Sequence, residues 1–248
     1  MSLGDYRSAL VTGASSGIGA AVTRRLAARG LLVHAVARRA YRLEALAREC
    51  QCVTHALDLR DGAAVLATLS GLEIDIVVNS AGIGLGFEGL VKAAPEEVET
   101  TFDTNILGVA RVLRAVLPGM VARKRGHVVN IGSIFGLHVA EPTIYGASKA
   151  AVHLMTQNLR MELRGSGIRV TEVSPGRTRT EFHAVATGQD LADLEDTFYG
   201  FEVLTAEDVA DAVLYALDVP WRVNVSLLEL TATEQTPGGT SIVVAERT

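Results

Sequence analysis

The chain has 248 residues, 48% of them apolar and 21% charged, a length and composition that suit one α/β domain with a large core. A net charge of −5 provides no broad cationic surface for phosphate backbones, so we expect no nucleic-acid partner. Apolar runs stay below the roughly 18 residues that span a bilayer, and no secretory leader pattern begins the chain. We therefore expect a cytoplasmic protein without a membrane partner.

Short β-branched runs alternate with longer helical patterns, and the runs are apolar on both faces, as in parallel sheets covered by helices. This alternation predicts a single Rossmann-type domain over residues 1–248, with a doubly wound, mostly parallel, seven-stranded sheet. The predicted strands are Ala9–Thr12, Leu31–Ala37, Val53–Leu57, Ile74–Asn79, Val128–Ile131, Ile168–Val173 and Val225–Leu230. The predicted helices are Gly17–Arg29, Arg42–Cys50, Gly62–Leu69, Glu96–Arg123, Ile144–Leu163 and Ala206–Leu217.

A glycine-rich turn joins the first predicted strand to the first predicted helix. Glycines permit a tight turn, and the free N–H groups at the start of a helix favour a pyrophosphate. A purely structural turn remains the alternative. The residues that we predict to contact a dinucleotide here are Gly13, Ser15, Ser16, Gly17, Ile18 and Gly19.

The end of the second strand bears on the choice of dinucleotide. Enzymes that use NAD usually place a carboxylate there, whereas this chain has Ala37 followed by Arg38 and Arg39. Guanidinium groups can hold a 2′-phosphate, so the sequence favours NADP(H), with Arg38 as the stronger candidate because it comes first. A solvated start of the next helix is the alternative.

Cys50 and Cys52 are the only cysteines, too few for a disulfide framework and without the further ligands of a zinc site. We therefore interpret them as structural residues and expect no metal.

Three side chains further along the chain could act on one small volume. Tyr145 and Lys149 are four residues apart in a helical pattern, and Ser133 ends the fifth strand. A phenol titrates near 10, so removing an alcohol proton near neutral pH needs a neighbouring cation, a role that suits Lys149. We expect Lys149 to lower the pKa of Tyr145.

The glycine spacing Thr-Gly-x3-Gly-x-Gly, the run Asn-Ser-Ala-Gly at 79–82 and the Tyr-x3-Lys pair together resemble the short-chain dehydrogenase/reductase family. The resemblance extends from about Ala9 to Leu230. Ser80 departs from it, because the family usually has a second Asn there.

This resemblance implies roles for individual residues. Tyr145 would be the catalytic acid/base, Ser133 would donate to the substrate oxygen, and Lys149 would also contact the nicotinamide ribose. Asn105 would join a proton relay through water, and Asp58 would contact adenine unless it caps a turn. The further cofactor contacts that we carry over are Leu59, Asn79, Ala81, Gly82, Tyr145, Lys149, Pro175, Gly176 and Thr178.

The substrate is less well defined by the sequence. The region Pro220–Leu230 resembles NADP-dependent 3-hydroxy acid (serine-type) dehydrogenases, although clavulanic-aldehyde-type reductases are similar in outline. Arg177 or Arg179 could meet a substrate carboxylate, or could be exposed loop residues. Both belong to a stretch at 177–203 that we interpret as a loop or helical lid over the site.

The sequence leaves three alternatives: a carbonyl or aldehyde reductase of secondary metabolism, a non-catalytic NADP(H)-binding protein, and a sugar-nucleotide epimerase or dehydratase. The long predicted helices Glu96–Arg123 and Ile144–Leu163, with the apolar C-terminal strand, resemble the surfaces by which the family builds two-fold symmetric tetramers. We therefore expect a homotetramer.

Overall fold

The structure, a computed structural model, describes residues 2–139, 141–187, 201–236 and 242. Seven parallel strands form one sheet, which confirms the predicted doubly wound architecture. In chain order these strands are β1 (Ser8–Thr12), β2 (Leu32–Ala37), β3 (Val53–Ala56), β4 (Ile76–Asn79), β5 (Gly126–Ile131), β6 (Ile168–Pro175) and β9 (Leu227–Leu230). Their order across the sheet is β3-β2-β1-β4-β5-β6-β9.

Helices cover both faces of this sheet. They are α1 (Gly17–Ala28), α2 (Ala40–Cys50), α3 (Gly62–Leu69), α4 (Pro95–Phe102), α5 (Gly108–Arg123), α6 (Ile134–Leu137), α7 (Thr143–Glu162), α8 (Phe182–Thr187) and α9 (Ala206–Asp218). Apolar residues of α1, α2 and α9 form one buried cluster, and those of α3, α5 and α7 form another. Val11 belongs to the first and Leu10 to the second, as the alternation of side chains along a buried strand requires.

The helix predicted at Glu96–Arg123 is interrupted. A π-helical turn at Asp103–Leu107 separates α4 from α5. The combined stretch Pro95–Arg123 is long and apolar enough to pass a length-and-composition test for a membrane span. Val112, Met120 and other apolar residues of α5 are nevertheless buried in the core, as in the core helix of a globular domain, whereas Leu107 and Val121 are exposed.

The stretch at 177–203 contains short elements that were not predicted individually. Thr178–Arg179 (β7) pairs in parallel with Leu204–Thr205 (β8), and α8 follows β7. Residues 188–200 of the predicted lid lie outside the described residues. Of the two described parts, 177–187 and 201–203, the first borders the cavity that is the candidate site.

Candidate active site

A cavity of about 530 Å³ lies at the carboxyl ends of the central strands, where β1 and β4 lead to opposite sides of the sheet. It is lined by every predicted site residue except Asn79 and Asn105. Its lining includes both the arginines after β2, Arg38 and Arg39, and the phenol of Tyr145, so one cavity connects the two predicted ends of a dinucleotide site.

The glycine turn packs directly against the turn that follows β4. Gly13 has a φ of +69°, and a Cβ there would lie 2.9 Å from the backbone of Ala81. A Cβ on Gly19 would lie 2.5 Å from the carbonyl oxygen of Gly13. Thr12 Oγ1 accepts hydrogen bonds from the backbone N–H groups of Ser80 and Ala81, both at 3.1 Å. The glycines therefore permit a close approach of two backbones beside the cavity.

Asn79 is buried away from the cavity lining. Its Nδ2 donates to Asn130 Oδ1 at 2.9 Å, and Asn130 in turn donates to Thr156 at 2.8 Å. This chain of hydrogen bonds joins the ends of β4 and β5 to α7. The position of Asn79 supports a structural role, and its cofactor contact stays a prediction.

The two arginines after β2 have different surroundings. Arg38 is exposed at the rim, whereas Arg39 reaches back to the glycine turn. Its Nε and Nη2 donate to Ser15 Oγ at 3.1 and 3.0 Å, and Nη2 also donates to Ser16 Oγ at 2.7 Å. Arg39 therefore lies between the strand end and the glycine turn, and the phosphate contacts of Arg38 and Arg39 stay predictions.

Asp58 closes a local turn. Its carboxylate accepts from the Arg60 backbone N–H at 3.0 Å and pairs with the Arg60 guanidinium at 2.7 Å. Hydrogen bonding by Arg60 holds the pKa of Asp58 below its ordinary value. The N-cap of α3 is Asp61, so Asp58 does not cap that helix. It lines the cavity beside Leu59.

Tyr145 is enclosed by aromatic rings. Its ring centroid lies 4.9 Å from that of Phe182 and 6.0 Å from those of Phe87 and Phe135. Burial raises the pKa of the phenol to about 12, and a hydrogen bond with Ser133 acts in the opposite direction. Ser133 also accepts at its Oγ from the backbone N–H of Phe135, at 3.2 Å, as the N-cap of α6.

Lys149 lies beside the same ring, with Nζ 5.8 Å from the Tyr145 centroid and 2.8 Å from the carbonyl oxygen of Ile131, to which it donates. Burial lowers its pKa to about 8, and the Glu172 carboxylate partly opposes that shift. The expected lowering of the Tyr145 pKa by Lys149 is not seen. Desolvation by the surrounding aromatic rings dominates, and the Lys149 ammonium is directed to the backbone of β5.

Asn105 lies in the π-helical turn, and its side chain holds the loop after β4. Oδ1 accepts from the Ile83 N–H at 2.9 Å, while Nδ2 donates to the Ile83 carbonyl at 2.8 Å and to Ser148 Oγ at 2.9 Å. A Cβ on Gly82 would lie 3.4 Å from Asn105 Oδ1 and 3.6 Å from Lys149 Nζ. The π turn thus fixes the loop that faces the Lys149 ammonium.

The turn after β6 forms another wall of the cavity. The Gly176 N–H donates to the Leu230 carbonyl at 2.6 Å, and Thr178 Oγ1 donates to the Gly176 carbonyl at 3.0 Å. Pro175 begins this turn. The cavity lining includes Pro175, Gly176 and Thr178. Arg177 also lines the cavity, with its guanidinium carbon 5.4 Å from the Phe201 ring centroid, whereas Arg179 is exposed outside the lining.

Several lining residues were not singled out from the sequence: Phe87, Phe135, Phe182 and Glu181. His183 lines the cavity as well. None of these residues belongs to a motif. Glu181, Phe182 and His183 lie in the 177–187 segment, whose position depends on long-range packing, whereas Phe87 and Phe135 follow β4 and β5. Among the described residues, no cluster of three or more His, Cys, Asp or Glu side chains could hold a metal ion.

Comparison with known proteins places this geometry in a family. A family model described as short chain dehydrogenase matches residues 7–190. The NADP-dependent 3-hydroxy acid dehydrogenase YdfG of Escherichia coli (strain K12) is 41% identical over 242 residues, covering 94% of this chain and 98% of that protein. Sulfoacetaldehyde reductase 2 of Chromohalobacter salexigens is 39% identical over 237 residues, covering 91% and 94%.

A solved structure gives the same result. The closed form of serine dehydrogenase complexed with NADP+ has a TM-score of 0.89 and 40% identity, and the match covers 97% of this chain and all of that one (100%). The resemblance inferred from the motifs is therefore confirmed, and the chain belongs to the short-chain dehydrogenase/reductase family.

Proposed function

We propose that this protein catalyses the reversible oxidation of a small 3-hydroxy acid, with Tyr145 as the acid/base and Ser133, Lys149 and Asn105 as its supporting residues. The chain is an NADP(H)-dependent oxidoreductase. The observation that carries the residue assignment is the single cavity in which Arg39 lies at one end and Ser133, Tyr145 and Lys149 lie at the other.

The residues present fit NADP(H). The turn between β1 and α1 has glycines where side chains would collide with backbone, so a pyrophosphate can approach the N–H groups at the start of α1. Arg39 presents a guanidinium group suited to a 2′-phosphate. The adenosine and the central part of the cofactor would be bordered by Asp58, Leu59, Ala81 and Gly82. Pro175, Gly176 and Thr178 would border the nicotinamide.

The bound cofactor supplies the hydride acceptor or donor and, when oxidised, a positive charge beside the substrate. In the reducing direction the raised pKa keeps the Tyr145 phenol protonated near neutral pH, ready to donate to the carbonyl oxygen. Ser133 donates to the same oxygen as negative charge develops on it. Lys149, with a pKa of about 8, provides positive charge beside the developing phenolate.

The substrate class is proposed from two facts. Arg177 lines the cavity beside the turn after β6, where its guanidinium can pair with an anionic substrate group. The two relatives are named for a 3-hydroxy acid and for sulfoacetaldehyde, and both compounds combine an anion with an alcohol or carbonyl. Reduction of a small anionic aldehyde is therefore the second candidate.

The deciding experiment follows NADP(H) absorbance with hydroxy acids plus NADP+, and with anionic and neutral aldehydes plus NADPH. We expect serine-like 3-hydroxy acids to be oxidised. Preference for the anionic aldehydes would favour the second candidate, and NADPH binding without turnover on either panel would favour a non-catalytic binding protein. Turnover confined to nucleotide sugars would favour an epimerase.

Tyr145→Phe tests the acid/base assignment. It removes the transferable proton and keeps the ring, so kcat should fall by at least about 100-fold while NADPH affinity stays nearly unchanged. Phe135→Leu, which alters the same aromatic enclosure but removes no proton donor, is the control. A Tyr145→Phe enzyme that keeps about a tenth of wild-type kcat would exclude Tyr145 as the main acid/base.

We further propose that the protein is a cytoplasmic homotetramer. Supporting this, α5 and α7 border an apolar groove lined in part by Leu113, Leu154 and Met155. Leu154 and Met161 on α7 are 58% and 63% exposed, as expected for a helix face that a second copy covers.

A further inference from the structure

Glu181 connects the segment after β6 to two arginines at the adenosine end of the cavity. Its Oε2 accepts from Arg39 Nη1 at 3.0 Å, and its Oε1 accepts from Arg42 Nη1 at 2.5 Å. Burial raises the pKa of Glu181, but hydrogen bonds from Arg42 and Arg39 outweigh it and leave the pKa below its ordinary value. The carboxylate is therefore ionised and shared between two guanidinium groups.

Each of the three nitrogens of the Arg39 guanidinium donates in this arrangement. Nε and Nη2 donate to the serines of the glycine turn, and Nη1 donates to Glu181. A 2′-phosphate that binds Arg39 through a fork of two N–H groups must replace at least part of this set. Two guanidinium charges balance one phosphate dianion, so a bound phosphate leaves the Glu181 carboxylate facing excess negative charge.

The residues on either side of Glu181 extend the same segment along the cavity. A Cβ on Gly17 would lie 3.2 Å from Thr180 Cγ2, so Thr180 packs on the glycine turn. The ring centroid of Phe182 lies 4.9 Å from that of Tyr145, with the two rings tilted by 50°. Moving Glu181 away from the arginines therefore disturbs contacts at both the pyrophosphate turn and the reaction centre.

We propose that Glu181 is a specificity-determining residue that competes with the 2′-phosphate of NADP(H) for Arg39 and Arg42. The 2′-phosphate of NADP(H) displaces the Glu181 carboxylate from Arg39 and Arg42. NAD(H) has no phosphate at that position and leaves the ion pairs of Glu181 in place. Arg42, which no sequence motif singled out, becomes the second phosphate ligand.

Calorimetric titration with adenosine 2′,5′-bisphosphate and with 5′-AMP tests this competition without turnover. Glu181→Gln removes the competing charge, so it should tighten bisphosphate binding about tenfold and change 5′-AMP binding by no more than about twofold. Glu44→Gln, at an exposed carboxylate of the same helix as Arg42, is the matched control for general charge effects and should leave both affinities near wild type.

Hydrogen exchange provides an independent readout. With no nucleotide added, the amides of residues 180–185 should exchange faster in Glu181→Gln than in wild type or Glu44→Gln, because the ion pairs no longer hold the segment. Unchanged or weaker bisphosphate binding in Glu181→Gln would overturn the competition. If wild type itself binds the bisphosphate no better than 5′-AMP, the assignment of Arg39 as a phosphate ligand fails as well. The wild-type affinities therefore distinguish failure of that assignment from failure of the competition alone.

Discussion

At the scale of single residues, the neighbouring arginines after β2 show how one position along a chain changes function. Arg38 continues outward from the strand end and is exposed, whereas Arg39 is the N-cap of α2 and turns back to the serines of the glycine turn. Either guanidinium group can attract the 2′-phosphate of NADP(H). Which of them binds the phosphate depends on backbone direction at the end of β2, and composition contains no information about that direction.

Substituting each arginine separately tests this assignment. Arg39→Ala removes charge-assisted hydrogen bonds of about 1.5–3 kcal/mol each and should lower kcat/KM for NADPH roughly ten- to a hundredfold. Arg38→Ala should lower it by no more than about threefold, since only long-range attraction is lost. Neither change should alter kcat/KM for NADH comparably. A larger effect from Arg38→Ala would restore that residue as the principal ligand.

The pKa of Lys149 provides a second prediction at this scale. Glu172 is 1% exposed, accepts from Ser174 Oγ at 2.6 Å, and lies 2.8 Å from His153 Nδ1. Its carboxylate raises the pKa of Lys149 against the larger effect of burial. Removing that negative charge should therefore lower the pKa of Lys149 below about 8.

The pH profile of kcat/KM for carbonyl reduction measures this shift. Activity that needs the Lys149 ammonium is present below the pKa and is lost as pH rises through it, so the wild-type decline should centre near 8. In Glu172→Gln the decline should move to lower pH. Glu162→Gln, an exposed residue at the end of the same helix as Lys149, should leave it in place. A profile unchanged in Glu172→Gln would contradict the coupling.

At the scale of elements, the apolar periodicity predicted the seven sheet strands and the six principal helices, most of them within two residues of their bounds. It could not predict the π turn at Asp103–Leu107, because the side-chain pattern on both sides is helical. The pairing of β7 with β8 joins residues about 25 positions apart, which local propensity does not report. The enclosure of Tyr145 by Phe182 depends on the same long-range packing.

Asn105→Ala tests what the π turn contributes. The substitution leaves the buried N–H and carbonyl of Ile83 without their partners, and each such group costs about 1–3 kcal/mol. Urea unfolding should show that loss of stability. Thr104→Ala is the control in the same turn, since Thr104 Oγ1 is buried with no hydrogen-bond partner in the described part of the chain. If Asn105→Ala and Thr104→Ala lower the free energy of unfolding equally, Asn105 does not hold the loop after β4 in the way described.

At the scale of the whole molecule, the strand order places the proposed functional groups at the carboxyl ends of the parallel strands. There the chain leaves the neighbouring strands β1 and β4 toward opposite faces of the sheet. The matches to the relative YdfG and to the solved structure of serine dehydrogenase cover nearly the full chain, so this architecture is shared with them. The apolar groove between α5 and α7 shares no lining residue with the cavity, so assembly through this groove would leave the cavity open.

Light scattering tests the proposed tetramer. Leu154→Lys introduces a charge into the α5–α7 groove and should reduce the particle to dimers or monomers at micromolar concentration. Leu66→Lys, at a residue of α3 that is 49% exposed and outside the groove, should leave the wild-type mass unchanged. A monomeric wild type under the same conditions would refute the assembly.

Three consecutive residues, Thr180, Glu181 and Phe182, contact the glycine turn, the arginines and Tyr145 respectively. A nucleotide at one end and a hydroxy acid at the other therefore bias the same piece of backbone. Thermodynamic linkage then requires that each ligand change the affinity of the other by an identical factor. The factor by which a saturating hydroxy acid changes NADPH affinity should equal the factor by which saturating NADPH changes hydroxy-acid affinity. Titrating each ligand with and without the other measures both factors, and Phe182→Ala should bring both close to 1.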